Sequence, residues 1–182
     1  MKKDVLFFTT TPPEDQTAIH IWLGKSDLPH EELLSHWIGK YLGFSPPILS
    51  TTPTGKPYLA DSPLHFNLSD SGGWIAIAFS WEGPVGIDLE TIRPIEGMDQ
   101  LILDCFSPRE QSYVNEKDTL LRFWEIWNRK EACLKAKGLG LQDNMAKWDC
   151  FGNDWIYVNQ VWVHSLPIKD NLSTAVAITN FV

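Results

Sequence analysis

Cysteine is scarce in this sequence, and basic residues are outnumbered by acidic ones. Cys105, Cys133 and Cys150 are odd in number and show neither a CxxC pair nor metal-finger spacing. A disulfide framework and a cysteine metal centre are therefore not indicated, and the three thiols, set in apolar segments, are expected to be reduced and structural. Fifteen Lys and Arg stand against twenty-three Asp and Glu, a formal net charge of −8. Nucleic-acid proteins draw their affinity from Lys and Arg that neutralise phosphates, so no nucleic-acid partner is expected. Long apolar runs are missing too: Val5-Leu6-Phe7-Phe8 stops at Thr9-Thr10-Thr11-Pro12-Pro13. That run is too short for a membrane span and reads as a short buried strand rather than a signal peptide. No low-complexity tract or long charged linker forces separate domains.

What is present is a chain of 182 residues, within the range of one globular domain, with nine Trp among its twenty-two aromatic residues. Most of those rings are expected in the core. Ala18–Leu23 reads as a strand. Ser26 or Asp27 could cap a helix that carries Leu33, Leu34, Trp37, Ile38, Tyr41 and Leu42 and ends at Gly43 and Pro46-Pro47. Gly55-Lys56-Pro57 is a turn, His65–Ser69 is β-like, and Gly72-Gly73 precedes the strand Trp74–Ser80. Ser107-Pro108-Arg109-Glu110 looks like a helix start with proline first, and Thr119–Lys137 is the strongest helix, stopped by Gly138 and Gly140. Strands return in Trp155–Val163 and Ser173–Ile178. The histidines of His30-Glu31-Glu32-Leu33-Leu34-Ser35-His36 are six apart and point to different helix faces, which excludes a zinc-protease motif.

Two carboxylates carry the first chemical signal. In Val85-Gly86-Ile87-Asp88-Leu89-Glu90 the apolar residues alternate with Gly86, Asp88 and Glu90, so Asp88 and Glu90 share one strand face. Clustered carboxylates suit a hard cation, although acidic residues also line ordinary solvent-facing strands. The second signal is the row Trp127, Glu131 and Lys135, spaced one helical turn apart. By itself that spacing reads as a surface Glu131–Lys135 pair worth a few tenths of a kcal/mol.

Taken together, Gly86-Ile87-Asp88-Leu89-Glu90 and Trp127-Asn128-Arg129-Lys130-Glu131-Ala132-Cys133-Leu134-Lys135 resemble the two signatures of the 4′-phosphopantetheinyl transferase superfamily. Gly55-Lys56-Pro57-Tyr58-Leu59, His65-Phe66-Asn67-Leu68-Ser69 and Gly138-Leu139-Gly140-Leu141 extend the likeness. It is greatest to the monomeric, surfactin-synthetase-activating type. The resemblance implies a mixed α/β (α+β) fold of two similar halves packed as a pseudo-dimer. Residues 1–84 would hold the coenzyme-binding elements, and residues 85–182 the metal ligands and catalytic helix. It implies a cytoplasmic enzyme that moves the 4′-phosphopantetheinyl group from coenzyme A to a serine of an apo acyl carrier protein or peptidyl carrier protein domain. Asp88, Glu90 and Glu131 would hold Mg²⁺; Glu131, or a metal-held water, would take the serine proton, and Lys135 would stabilise the departing 3′,5′-ADP. Lys56 and Pro57 would flank the adenosine end, and Ser69, Asp70, Lys130 and Lys135 would lie along the coenzyme.

Two departures from that pattern bear on function. Asp70 stands where the family has a phosphate-contacting histidine; it either turns away, towards the Gly72-Gly73 turn, or joins the metal shell. The stretch around the first helix offers His30, His36 and Lys40 in place of several arginines. A degenerate relative that binds metal or coenzyme A with little turnover is the alternative these departures raise. Metal-dependent nucleases also combine Asp, Glu and Lys, but their acid and Lys lie two apart on a strand rather than four apart on a helix. A scaffold module has only the tryptophans in its favour. Ile95, Met98, Leu101, Ile102 and Phe106, with Arg93, Arg109 or Lys117, would meet the carrier unless the core claims them.

Overall fold

The computed structural model describes residues 3–44, 48–140, 144–167 and 171–179. In the first half, β1 (Val5–Phe8), β2 (Ile19–Gly24), β5 (His65–Ser71) and β6 (Trp74–Ser80) form one sheet in the order β1-β2-β6-β5. Only β1 pairs in parallel, with β2. The helix α1 (His30–Leu42) follows β2, and two short strands, β3 (Ser50–Thr51) and β4 (Pro57–Tyr58), pair with each other. In the second half, β7 (Val85–Thr91), β8 (Ile156–Val158), β9 (Val161–Ser165) and β10 (Leu172–Thr179) form an antiparallel sheet in the order β7-β10-β9-β8. Three helices lie between β7 and β8: α2 (Met98–Cys105), α3 (Pro108–Glu116) and α4 (Thr119–Lys137).

The two sheets share a plan. In β2-α1-β5-β6 and in β7-α4-β9-β10, a strand and a helix are followed by two strands, and the last strand inserts between the other two. Alternation along each strand then divides the core. One face of the first sheet packs Phe66, Ile77 and Phe79 with Leu34, Trp37 and Ile38 of α1. The opposite face, with Ile19, Ile21, Ala76 and Ala78, meets Val85, Ile87, Leu89, Val176 and Ile178 of the second sheet. The far face of that second sheet packs Val161, Val163, Ala175 and Ala177 with Ala132, Cys133 and Ala136 of α4. A fourth cluster, including Ile102, Phe106, Val114, Phe123 and Ile126, joins α2 and α3 to the first part of α4. Each buried Val, Leu, Ile or Phe among these contributes roughly 1.5–3 kcal/mol.

The mixed α/β class and most elements match the sequence reading, with three differences. α1 starts at His30, with an extended Pro29 at its N-cap and no side-chain cap. A residue preceding proline is held out of helical conformation, and Ser26 Oγ instead accepts from the Leu28 N–H at 3.1 Å. The run Trp155–Val163 is a hairpin rather than one strand, because Asn159 and Gln160 turn at φ 48° and 66°. β1 is an edge strand in which Phe8 is buried but Phe7 is 48 % exposed. Pro46, Pro47 and Leu141 lie outside the described residues. The cysteines are free, with Cys133 and Cys150 buried. Among the described residues no helix is long and apolar enough to cross a membrane.

Candidate active site

The site begins with a missing side chain. Gly86, Asp88 and Glu90 line the face of β7 that looks towards α4, while Val85, Ile87 and Leu89 are buried between the sheets. A Cβ on Gly86 would fall 2.1 Å from the Ala132 carbonyl oxygen and 2.4 Å from the Ala136 nitrogen. Only glycine lets the helix backbone come this close. The approach brings Glu131 and Lys135, the neighbours of those two alanines in sequence, down beside Asp88.

The other border of β7 is held by side chains. On β5, Asn67, Ser69 and Ser71 lie on one face, and each accepts a backbone N–H of β7: Ile87 at 2.9 Å, Leu89 at 3.2 Å and Thr91 at 3.1 Å. These side chains satisfy N–H groups that no strand pairs. The two hydroxyls then donate onward, Ser69 Oγ to Asp88 Oδ1 at 3.2 Å and Ser71 Oγ to Glu90 Oε2 at 2.7 Å. Alternation sends Asp70 the opposite way: it is exposed, with Oδ1 3.9 Å from His30 Nε2 at the start of α1. Of the two accounts of Asp70, the outward one holds, with His30 as its neighbour in place of the glycine turn.

Lys135 closes the group. Its Nζ donates to Asp88 Oδ1 at 2.7 Å and to Ser69 Oγ at 3.0 Å. The ammonium thus crosses to the strand instead of forming a solvent-facing pair with Glu131. Burial pushes the Asp88 carboxyl up from its ordinary range, against the pull of Lys135 and Ser69. For Glu131, burial first and then the Asp88 charge raise the carboxyl to about 7, with Lys135 opposing. A carboxylate poised near neutrality can accept a proton, and the adjacent ammonium can stabilise an anion.

Lys135 also bears on whether a metal ion fits this site. Among the described residues, no group of three or more His, Cys, Asp or Glu side chains is arranged to hold a metal ion. One oxygen of Asp88 is already taken by the ammonium. Yet Asp88 Oδ2 and Glu131 Oε1 are buried with no hydrogen-bond partner, an unfavourable condition for carboxylate oxygens unless a cation meets them. With Glu90 alongside, these hard oxygen donors fit a divalent ion such as Mg²⁺.

Two lysines read as coenzyme-binding have side chains engaged elsewhere. Lys130 is fully buried and pairs with Glu110 Oε2 at 2.7 Å. It also donates to the Met145 carbonyl at 3.0 Å and to that of Trp148. One residue along a helix is a rotation of about 100°, so Lys130 faces α3 while Glu131 faces β7. Burial raises the Glu110 carboxyl, opposed by Lys130 and by the Ser107 and Cys150 N–H groups. Lys56 Nζ is spent on backbone carbonyls of the second half, and desolvation lowers its amine to about 8. Pro57 borders a cavity of about 580 Å³ with Glu31, Leu34, Leu49 and Thr51. The sequence reading also missed Asn128 and Arg129, which pin α4 to Ser173 and to Ser165, Cys150 and Gly152. Their signal was a polar trio, Asn128-Arg129-Lys130, inside an otherwise apolar helix.

The acids of β7 and the charged residues of α4 fall in a stretch that known proteins share. Residues 84–174, half of the chain, match the profile of the 4′-phosphopantetheinyl transferase superfamily. The 4′-phosphopantetheinyl transferase AcpT of Salmonella typhimurium is 44 % identical over 88 residues, 46 % of each chain. AcpT of Escherichia coli K12 is 38 % identical over 126 residues, 67 % of this chain and 61 % of that protein. The 4′-phosphopantetheinyl transferase Sfp of Bacillus subtilis is 38 % identical over 96 residues, 50 % of this chain and 42 % of that protein. The matched stretch thus spans about half the length of these relatives. With both signatures inside that stretch, and the carboxylates and lysine of those signatures brought together across β7 and α4, the chain belongs to the 4′-phosphopantetheinyl transferase superfamily.

Proposed function

We propose that this chain transfers the 4′-phosphopantetheinyl group of coenzyme A to a serine of an apo acyl carrier protein or peptidyl carrier protein domain, with Mg²⁺ at Asp88, Glu90 and Glu131. The observation that carries this reading is the meeting of the two signatures across β7 and α4: Lys135 Nζ lies 2.7 Å from Asp88 Oδ1, and Asp88 Oδ2 and Glu131 Oε1 are buried beside it with no hydrogen-bond partner. In the transfer, the carrier serine oxygen attacks the phosphorus that bears pantetheine. A new phosphodiester forms, the pyrophosphate P–O bond breaks, and 3′,5′-ADP leaves. Glu131, or a water held beside it, takes the serine proton. Lys135 neutralises charge on the leaving phosphate. A bound Mg²⁺ would supply charge neutralisation at the pyrophosphate.

The halves divide the work. Residues 1–84 supply Ser69, which orients Asp88, and the cavity beside Pro57 proposed for the adenosine end. Residues 85–182 supply the acids and α4. The side chains of Asp70 and Lys130 have no part in holding the coenzyme in this reading. The carrier would meet the surface between the signatures, where Leu103 is 61 % exposed while Ile102 and Phe106 are claimed by the core. Arg93 and Lys117 would face the acidic carrier there. Incubation with Mg²⁺, coenzyme A and apo carriers tests the proposal by mass. Coenzyme binding without transfer, in a chain whose α1 stretch has only His30, His36 and Lys40 as basic groups, would favour the alternative of a relative with little turnover.

A further inference from the structure

Thr54 and Lys56 belong to the first half, yet their donors end on the backbone of the second. Thr54 Oγ1 donates to the Gly138 carbonyl at 2.6 Å. Lys56 Nζ donates to the carbonyls of Lys135 at 2.6 Å, Val85 at 2.9 Å and Ala136 at 3.5 Å. The last carbonyls of a helix have no partner within it, and a cation is favoured at that end. Here the cation comes from a turn some eighty positions upstream, held in shape by the Thr52 hydroxyl, which accepts the Lys56 N–H at 3.0 Å. Two carbonyls receive the ammonium at short range and a third lies 3.5 Å away, so its N–H donors are directed onto backbone.

Lys135 is therefore gripped at both ends. Its carbonyl is held by Lys56, and its ammonium rests on Asp88 and Ser69. We propose that Lys56 is a positioning residue: by clamping the last turn of α4 to the start of β7, it fixes the Lys135 ammonium against Asp88, and it acts on transfer through Lys135 rather than by touching coenzyme A with its own amine. The statement about transfer rests on the transferase reading; the statement about Lys135 does not.

The test uses the full chain with Lys56→Met. Without coenzyme or metal, lysines are methylated with formaldehyde and cyanoborohydride and located by peptide mass mapping, with exposed Lys40 as a rate control and buried Lys130 as a reporter of unfolding. Lys135 should be labelled at least about threefold faster in Lys56→Met than in wild type while Lys130 stays protected, as expected for local loosening. An unchanged Lys135 rate overturns the proposal, whether or not the protein transfers anything. In the transfer assay, kcat should fall by about tenfold or more with KM for coenzyme A held within about twofold. A raised KM with kcat unchanged would instead make Lys56 a coenzyme contact and overturn it. Should Lys130 become reactive in Lys56→Met, Thr54→Val, which removes one bond of the same cap, is expected to speed Lys135 labelling with Lys130 protected. No change at Lys135 in that variant overturns the proposal as well.

Discussion

Glu131, the proposed base, carries a cost in stability. Its carboxyl is raised from 4.5 to about 7 by burial and by Asp88, so between those values the folded chain holds a proton that the unfolded chain releases. Stability from this group therefore falls as pH rises through that window, and the full penalty stands above it. Glu131→Gln removes the penalty together with the base. It should lower the transfer rate by about 10²–10⁴, read in the assay with Mg²⁺, yet raise Tm at neutral pH by at least about 2 °C, read on the metal-free protein. His20 works in the opposite pH direction. Its Nε2 sits 2.6 Å from the Asp15 carbonyl and must donate, and its Nδ1 lies 2.9 Å from the Tyr41 hydroxyl. The buried ring is thus held neutral, with its pKa lowered from 6.5 mainly by desolvation. As pH falls below the unfolded value, the unfolded chain takes the proton first and stability drops. Melting curves between neutral pH and about pH 5 should show a shallower loss in His20→Gln than in wild type. At this scale, Asp88 and Glu90 were legible as partners on one strand face. Asp70 was left open because both accounts were local, and the deciding neighbour, His30, comes from another element.

The helix α4 joins every part of the site, and its contacts explain which elements sequence could define. Gly86 permits the strand–helix approach, so Gly86→Ala should destabilise by about 1–3 kcal/mol or more, since backbone rather than a flexible side chain would have to yield. Chemical denaturation checks this, and the smaller Val163→Ala cavity serves as a comparison. The Lys130–Glu110 pair fixes the other side of the helix, with both side chains fully buried. Lys130→Met strands a buried carboxylate and should cost about 3–5 kcal/mol, whereas the double variant Lys130→Met with Glu110→Gln should recover part of that loss. An undiminished cost in the double variant would contradict the pairing. α4 itself was legible to the residue, Thr119–Lys137, because glycine punctuates its end. α3 was legible because Ser107 and Glu110 form a capping box with Pro108 inside it. The hairpin at Asn159-Gln160 was not, because its left-handed turn lacks the glycine that usually signals one. The start of α1 was displaced because Pro29 overrode two plausible caps.

At the scale of the whole molecule, the proposed catalytic groups come from residues 85–182 and the side chains that hold them from residues 1–84. Ser69, Ser71, Thr54 and Lys56 of the first half hold Asp88, Glu90 and the end of α4 in the second. The sequence makes the mixed α/β class readable through alternating strand and helix periods. It cannot make this brace readable, because nothing local to β5 says that its serines will receive N–H groups from β7, twenty residues further on. The same distance effect hid the fates of Lys56 and Lys130, which the family resemblance places along the coenzyme and which the fold sets on backbone carbonyls and on a buried carboxylate. Transfer centred on Glu131 and Lys135 is tested most directly by the intact mass of the acceptor. Apo acyl and peptidyl carrier proteins are incubated with this protein, coenzyme A and Mg²⁺. A carrier is expected to gain one phosphopantetheine at its serine with wild type and not with Glu131→Gln; no gain on any carrier, by a folded protein that binds coenzyme A, would contradict a transferase centred on these residues.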